Sequence, residues 1–145
     1  MASAPNFTAL VAAAYPDSGD AQGESLDALW NALFDLPEWY MLVHPSRIER
    51  GDEPYPFVAN VEGEGWAMVF TSARTAQQFA ADQELVGSDG KAFVMSMETA
   101  TIRRWIAALA EHKVSQVRFD EGPNGWFAPI AQVEAIAAHL GRPLA

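Results

Sequence analysis

The clearest alternation of apolar and polar positions lies between Gly65 and Gln83, where an apolar strand runs directly into a helix. The alternating strand positions are Trp66, Met68 and Phe70. A two-residue period is typical of a strand that is buried on at least one face. Thr71 and Ser72 follow and offer hydroxyls to the free N–H groups of a helix that begins near Ala73. This stretch therefore predicts a strand over 66–71 and a capped helix over 73–82.

The same two periods predict the other elements of the chain. Apolar positions at helical spacing predict helices over 25–36, 98–112 and 130–140, and alternating or short apolar runs predict strands over 38–44, 55–61, 91–97, 114–120 and 126–127. Arg103 and Arg104 lie outside the apolar face of the helix over 98–112. Turn residues over 62–65 and 123–125 predict two hairpins. The order predicts an α+β fold with a single mixed β-sheet, helices packed on it, and two hairpins bracketing β-α-β-α-β units.

The chain is expected to form one domain. Its 145 residues are enough to bury a core, and neither an internal repeat nor a second-domain boundary is present. Residues 1–23 are expected to be a weakly ordered lead-in, in which Phe7, Leu10 and Val11 are spaced to make a short helix that docks on the domain. Residues 24–145 then form the α+β domain itself.

Charge and composition narrow the range of partners. The formal net charge is −10, and the first 46 residues contain six acids but no Lys or Arg. Nucleic acids and anionic membranes both require clustered basic residues, so neither is expected as a partner, whereas a basic protein fits. The absence of cysteine excludes disulfides and thiolate chemistry. With no signal peptide or membrane-spanning run expected, the chain is predicted to be cytoplasmic.

The arrangement of elements resembles the N-terminal domain of the SseB (enhanced serine sensitivity) family. The resemblance extends over about residues 25–140 and rests on four segments: the helix over 26–36 with the strand over 39–43, the junction 69–72, the strand over 93–95 with its helix, and the closing unit 117–129 with the terminal helix. It implies a bacterial, cytoplasmic α+β domain without an established active site.

Candidate functional residues fall into two groups. Aromatic and Arg residues are enriched at protein interfaces, and a partner-binding patch is predicted from Tyr40, Trp126, Arg104 and Arg118, with Tyr55 beside them. For each aromatic residue taken singly, core packing is favoured over a place in the patch. The second group consists of His44, Arg47 and Asp120, on loops that could bind a small ligand or support catalysis.

No motif predicts a catalytic residue, a cofactor or a metal site. The chain has no Gly-x-Ser-x-Gly, phosphate loop or dinucleotide motif, and its three histidines show no metal-ligand spacing. The sequence thus favours a non-catalytic protein-binding or adaptor module. A small-ligand-binding protein or enzyme that uses the loops near His44 and Asp120 is the alternative, and homo-oligomerisation for its own sake is a third hypothesis.

Overall fold

The computed structural model describes residues 6–15, 23–44, 50–51, 58–87, 89–120 and 125–144. Arg47 and Tyr55 lie outside these ranges. The helices of the described residues are α1 (Phe7–Ala14), α2 (Gly23–Asp35), α3 (Ala73–Asp82), α4 (Thr99–Leu109) and α5 (Ile130–His139). The strands are β1 (Glu38–Val43), β2 (Val58–Val61), β3 (Glu64–Val69), β4 (Phe93–Glu98), β5 (Val114–Phe119) and β6 (Trp126–Pro129).

These bounds confirm the predicted α+β class and the order of elements. Helix α3 has the predicted limits, and the Ser72 side chain accepts a hydrogen bond from the Thr75 N–H as its N-cap. The short helix α1 is also present and packs against α2. Helix α4 ends earlier than predicted, because a 3₁₀ turn over Ala110–His112 leads to Lys113 in the left-handed conformation.

The described strands form two sheets rather than the single predicted sheet. A mixed sheet has the order β2-β3-β5-β6, with β3 and β5 parallel and the other neighbours antiparallel, and β1 pairs with β4 in a separate antiparallel ladder. One isolated bridge, between Tyr40 and Phe70, joins β1 to the end of β3. The division has a simple cause: β2 already occupies that edge of β3 over Glu64–Ala67, so β1 reaches only the residue beyond the strand.

Two hydrophobic clusters lie on opposite faces of the mixed sheet. The larger one joins α2, α4 and α5 to the sheet and contains Trp30, Trp39, Phe119 and Trp126. The smaller one lies between α3 and the ends of β1 and β3, around Phe70. Side chains alternate between the two faces along β5, with Val117 and Phe119 buried in the larger cluster.

Arg103 lies in the interior, although the sequence pattern of α4 places it off the apolar face. It is only 7% exposed. Its guanidinium donates to both carboxylate oxygens of Glu134 at 3.0 and 2.8 Å and to the Arg142 carbonyl oxygen at 2.8 Å, and it lies over the Phe34 ring. A bidentate partner and a carbonyl acceptor offset the desolvation of the charge.

The turn after α5 places the Arg142 carbonyl oxygen within hydrogen-bonding distance of the Arg103 guanidinium. Gly141 has φ of 74°, a conformation that glycine adopts without steric cost. The Arg142 N–H donates to the Ala137 oxygen and the Gly141 N–H to the Ala138 oxygen, which is the Schellman pattern. Beyond it, the Arg142 side chain binds Asn31 and Asp35 on α2. The terminal turn therefore ties α5 to both α2 and α4.

Candidate functional site

Trp126 is buried, so it does not supply the exposed aromatic surface that the sequence suggested for a partner-binding patch. It is 3% exposed and stacks on Phe119 at 5.1 Å and on Phe7 at 5.9 Å between ring centroids. The next residue, Phe127, is 53% exposed. Successive residues of a strand point to opposite faces of the sheet. The exposed aromatic residue of β6 is therefore Phe127.

Phe127 belongs to a cluster that we call the aromatic–Arg face, defined by Trp66, Arg118 and Phe127. These residues come from β3, β5 and β6, and Arg118 is paired directly with Phe127 in the β5–β6 ladder. The guanidinium carbon of Arg118 lies 5.3 Å from the Trp66 ring centroid and 5.8 Å from that of Phe127. The two rings are 5.6 Å apart. These distances fit cation–π contacts, which hold the three side chains together.

A groove begins where this face ends. It has a volume of about 490 Å³ and runs between the edge strand β6 and the helices α2 and α5. Its apolar lining includes Tyr15, Leu26, Trp30, Phe127 and Ile136. Tyr15 is 40% exposed, and together with Phe127 it makes up the large hydrophobic residues that are exposed in the described part of the chain. Both of them line this one groove.

Polar groups lie at the rim of the groove. His139 Nε2 is 3.5 Å from Asp27 Oδ1, which joins α5 to α2 across the groove, and Gln132 lies nearby. Burial raises the pKa of the Tyr15 phenol above its ordinary value, so this hydroxyl is neutral at physiological pH. The groove thus offers an apolar floor and a few hydrogen-bonding groups.

The other residues predicted for the patch lie elsewhere. Tyr40 packs against the smaller cluster beside α3, and its hydroxyl donates to Glu38 at 3.4 Å. Arg104 is exposed on α4, a helix that packs on the opposite face of the sheet from Arg118. Of the predicted patch residues that the structure describes, only Arg118 therefore lies beside the rings of this face, the half-buried Trp66 and the exposed Phe127.

Asp120 organises the junction between β3 and α3. Its carboxylate accepts hydrogen bonds from the Thr71 N–H at 2.8 Å and the Thr71 hydroxyl at 2.7 Å, with the Thr75 hydroxyl at 3.2 Å. Its own N–H donates to the Val69 oxygen at 2.9 Å. Gly125 permits this arrangement, because a Cβ there would lie 2.6 Å from the Asp120 carbonyl oxygen.

His44 lies apart from this junction. Tyr40 bridges to Phe70, the residue before Thr71 at this junction. His44 follows the end of β1, four residues after Tyr40, which corresponds to about 13 Å of extended chain. Arg47 falls outside the described residues. The other two residues predicted for a ligand site, His44 and Asp120, do not share a site.

Asp120 gives the protein a specific pH dependence. Desolvation raises the pKa of this carboxyl above its ordinary value, and the hydrogen bonds from Thr71 and Thr75 oppose the rise without cancelling it. The folded state thus binds this proton at higher pH than the unfolded chain does. The contribution of Asp120 to the free energy of unfolding should increase as the pH falls from 7 towards about 4.

Asp120→Asn and Asp120→Ala together test this role. The amide keeps the shape and one acceptor and removes the buried charge, so the free energy of unfolding should change little at pH 7. Alanine leaves the Thr71 N–H without its acceptor and should lower the free energy of unfolding by about 1–3 kcal/mol. Urea unfolding from pH 7 to pH 4 should show wild type gaining stability relative to Asp120→Asn. A constant difference across that range would contradict the raised pKa.

The prediction from sequence did not include Phe127, Trp66 or Tyr15 in the site, nor the helices α2 and α5 beside the groove. The alternation of buried and exposed residues along the strands could have identified Phe127. Val117 and Phe119 mark one face of β5 as buried, and Arg118 lies on the other. Pairing β5 with β6 across the predicted turn places Phe127 opposite Arg118. No local sequence pattern could have predicted the groove, because its lining residues come from four segments of the chain: the end of α1, α2, β6 and α5.

No known family model matches the chain, and no curated protein matches its sequence. The described residues contain no group of three or more His, Asp or Glu side chains suited to a metal ion. Among the helices of those residues, none has the length and apolar character needed to cross a bilayer.

Proposed function

We propose that the chain is a non-catalytic protein-binding domain whose binding site is the groove between β6, α2 and α5. The observation that supports this most directly is that Tyr15 and Phe127, the large hydrophobic residues exposed in the described part of the chain, line the same groove. Exposed apolar residues that converge on one concavity are typical of binding sites, whereas scattered ones are normal on any surface.

The aromatic–Arg face extends this site onto the sheet. Phe127 belongs to both surfaces, so a partner anchored in the groove would also contact Trp66 and Arg118. Tryptophan and arginine are enriched among the residues that contribute most to binding energy. Aromatic rings already held by a guanidinium lose little side-chain entropy when a partner binds.

Charge favours a partner that carries basic residues around an apolar anchor. Helix α2 flanks the groove and contributes Asp27, and the first 46 residues contain acids without a single Lys or Arg. Such a partner would associate faster at low salt, because opposite charges steer the encounter. The SseB resemblance implies a bacterial protein that is located in the cytoplasm, and we include both features in this proposal.

Capture from cell lysate with Phe127→Ser tests the groove. Removal of this ring should weaken retention of the partner by at least about tenfold, because anchor residues at interface centres contribute about 2 kcal/mol or more. Arg104→Ala is the matched control, since Arg104 is exposed but lies on the other side of the sheet. Both variants should keep the circular dichroism spectrum of wild type. Equal retention by wild type and a folded Phe127→Ser would contradict the proposal.

A small ligand is a second candidate occupant of the same groove. Its volume of about 490 Å³ lies within the ordinary range of small-molecule sites, and His139, Asp27 and Gln132 could orient a polar group. Thermal-shift screening of wild type and of Ile136→Trp, which fills the groove, distinguishes this case. Ligands that stabilise wild type and not the filled variant would favour the small molecule.

A further inference from the structure

The α2 wall of the groove brings a carboxylate and an aromatic ring together. Asp27 and Trp30 lie three residues apart on this helix, so they are neighbours on one face, and both line the groove. The Asp27 side chain is 47% exposed. His139 Nε2, at 3.5 Å from Asp27 Oδ1, is farther away than in a good hydrogen bond. The carboxylate can therefore accept hydrogen bonds from an incoming donor.

The rest of the groove adds aromatic rings but no basic side chain apart from that histidine. Tyr15 and Phe127 supply two further rings, and none of the described lining residues is Lys or Arg. A carboxylate beside aromatic rings attracts cations, because the faces of the rings carry the negative part of their quadrupole. The groove is therefore complementary in charge to a cationic group on a partner.

The protein binds a guanidinium of its own with the same kinds of partner. Arg103 lies 4.7 Å from the Phe34 ring centroid and donates to both carboxylate oxygens of Glu134. The groove combines a carboxylate, Asp27, with aromatic rings and has no guanidinium in its described lining. A planar guanidinium stacks on rings and donates sideways to a carboxylate at the same time, whereas the compact ammonium of lysine matches such a site less well.

We infer that the groove binds an arginine side chain of its partner, whose guanidinium donates to Asp27 and packs against the adjacent aromatic rings. This inference rests on the proposed function, because it names the residue of the partner that occupies the same groove. The net charge of −10 favours the approach of such a segment at low ionic strength.

The length of the groove determines which residues can accompany the arginine. Strand β6 leads directly into α5, so Gln132 lies near β6, and His139 lies seven residues further, about 10 Å along the helix. Alternate residues of an extended peptide lie about 7 Å apart on the same side. An arginine beside Asp27 and His139 therefore leaves room for an apolar side chain two residues away, against Ile136 and Phe127.

Calorimetric titration of the full chain with the pentapeptide Leu-Ala-Arg-Ala-Leu tests the inference. Leucine stands two residues from the arginine on both sides, so the peptide fits in either direction, and blocked termini leave the arginine as its only charge. The matched control peptide has citrulline, a neutral isostere, in place of arginine. Wild type should bind the arginine peptide about tenfold more tightly, because citrulline forms neither the ion pair nor the cation–π contacts.

Two variants locate the cation within the groove. Asp27→Asn should weaken binding of the arginine peptide about three- to fivefold and leave the citrulline peptide unaffected. Asp82→Asn makes the same change in net charge at an exposed position of α3, on the other side of the sheet, and should change neither affinity. Nuclear magnetic resonance shifts of the Trp30 indole and the Ile136 methyl groups should follow the titration of wild type.

The outcomes separate this inference from the proposed function. Equal affinities for the two peptides would overturn the inference and leave an apolar groove, which the capture experiment with Phe127→Ser tests independently. An arginine peptide that fails to bind at about 1 mM, or that binds Asp27→Asn as tightly as wild type, would overturn it as well. Failure of the proposed function would instead appear as undiminished capture by the folded Phe127→Ser.

Discussion

Trp39→Ala should lower the free energy of unfolding by about 3–5 kcal/mol, the range for removing a large aromatic side chain from a core. Trp39 is fully buried between Phe34 and Phe119, with ring centroids 6.1 and 5.7 Å away. It connects α2, β1 and β5, and alanine would leave a cavity where these elements meet. Urea unfolding followed by circular dichroism measures the change.

Two milder substitutions separate packing from hydrogen bonding at this site. The Trp39 indole N–H donates to the Leu33 carbonyl oxygen at 3.0 Å, whereas the indole N–H of Trp126 has no acceptor within the described part of the chain. Trp39→Phe removes one of the two hydrogen bonds to that carbonyl and leaves the Leu36 N–H, at 3.3 Å, as its donor, whereas Trp126→Phe removes no hydrogen bond to a described residue. The first should be less stable than the second by about 0.5–1.5 kcal/mol. Equal losses would show that the hydrogen bond contributes nothing beyond packing.

Glu134→Ala should lower the free energy of unfolding by about 2–4 kcal/mol, because it leaves the buried Arg103 guanidinium without its carboxylate. The estimate lies below that for a fully buried pair, since the Glu134 side chain is 32% exposed and solvent can partly compensate. The Arg142 carbonyl would remain as the acceptor for Arg103. Thermal and urea unfolding give the loss.

Asp35→Ala is the matched control for this prediction. It removes the carboxylate partner of Arg142, but both side chains of that pair are at least one-third exposed, so the loss should stay below about 1 kcal/mol. The double variant Arg103→Met with Glu134→Leu should recover much of the stability lost in Glu134→Ala, since apolar replacement of a buried pair is often neutral. A double variant as unstable as Glu134→Ala would show that packing around Arg103, rather than the stranded charge, determines the loss.

The placement of Arg103 illustrates the limit of helical periodicity. Its position off the apolar stripe of α4 predicts a solvated side chain, and periodicity says nothing about the neighbours that a helix acquires. In the folded chain α5 packs beside α4, and Glu134 and the turn after Gly141 cover the guanidinium. The buried cation thus depends on residues some thirty to forty positions away in the sequence.

The candidate site shows the same limit in a different form. The aromatic and Arg composition of an interface was recognisable, and Arg118 does lie beside the half-buried Trp66 ring and the exposed Phe127 ring. The choice between Trp126 and Phe127 required the face on which each residue lies, and this follows from the pairing of β5 with β6. Tyr15, Leu26 and Ile136 meet only because α1, α2 and α5 are brought together by the larger cluster.

The sequence by itself determined the local elements of this protein, because their causes are local. Spacing at 2 and 3.6 residues places the strands and helices, and Ser72 and Gly141 mark helix ends through hydrogen bonds that span a few residues. Only the tertiary structure decided which strands are neighbours, how the strands divide into two sheets, and which charge is buried. Those outcomes depend on burial shared among distant segments, and burial is a property of the assembled chain rather than of any one stretch of it.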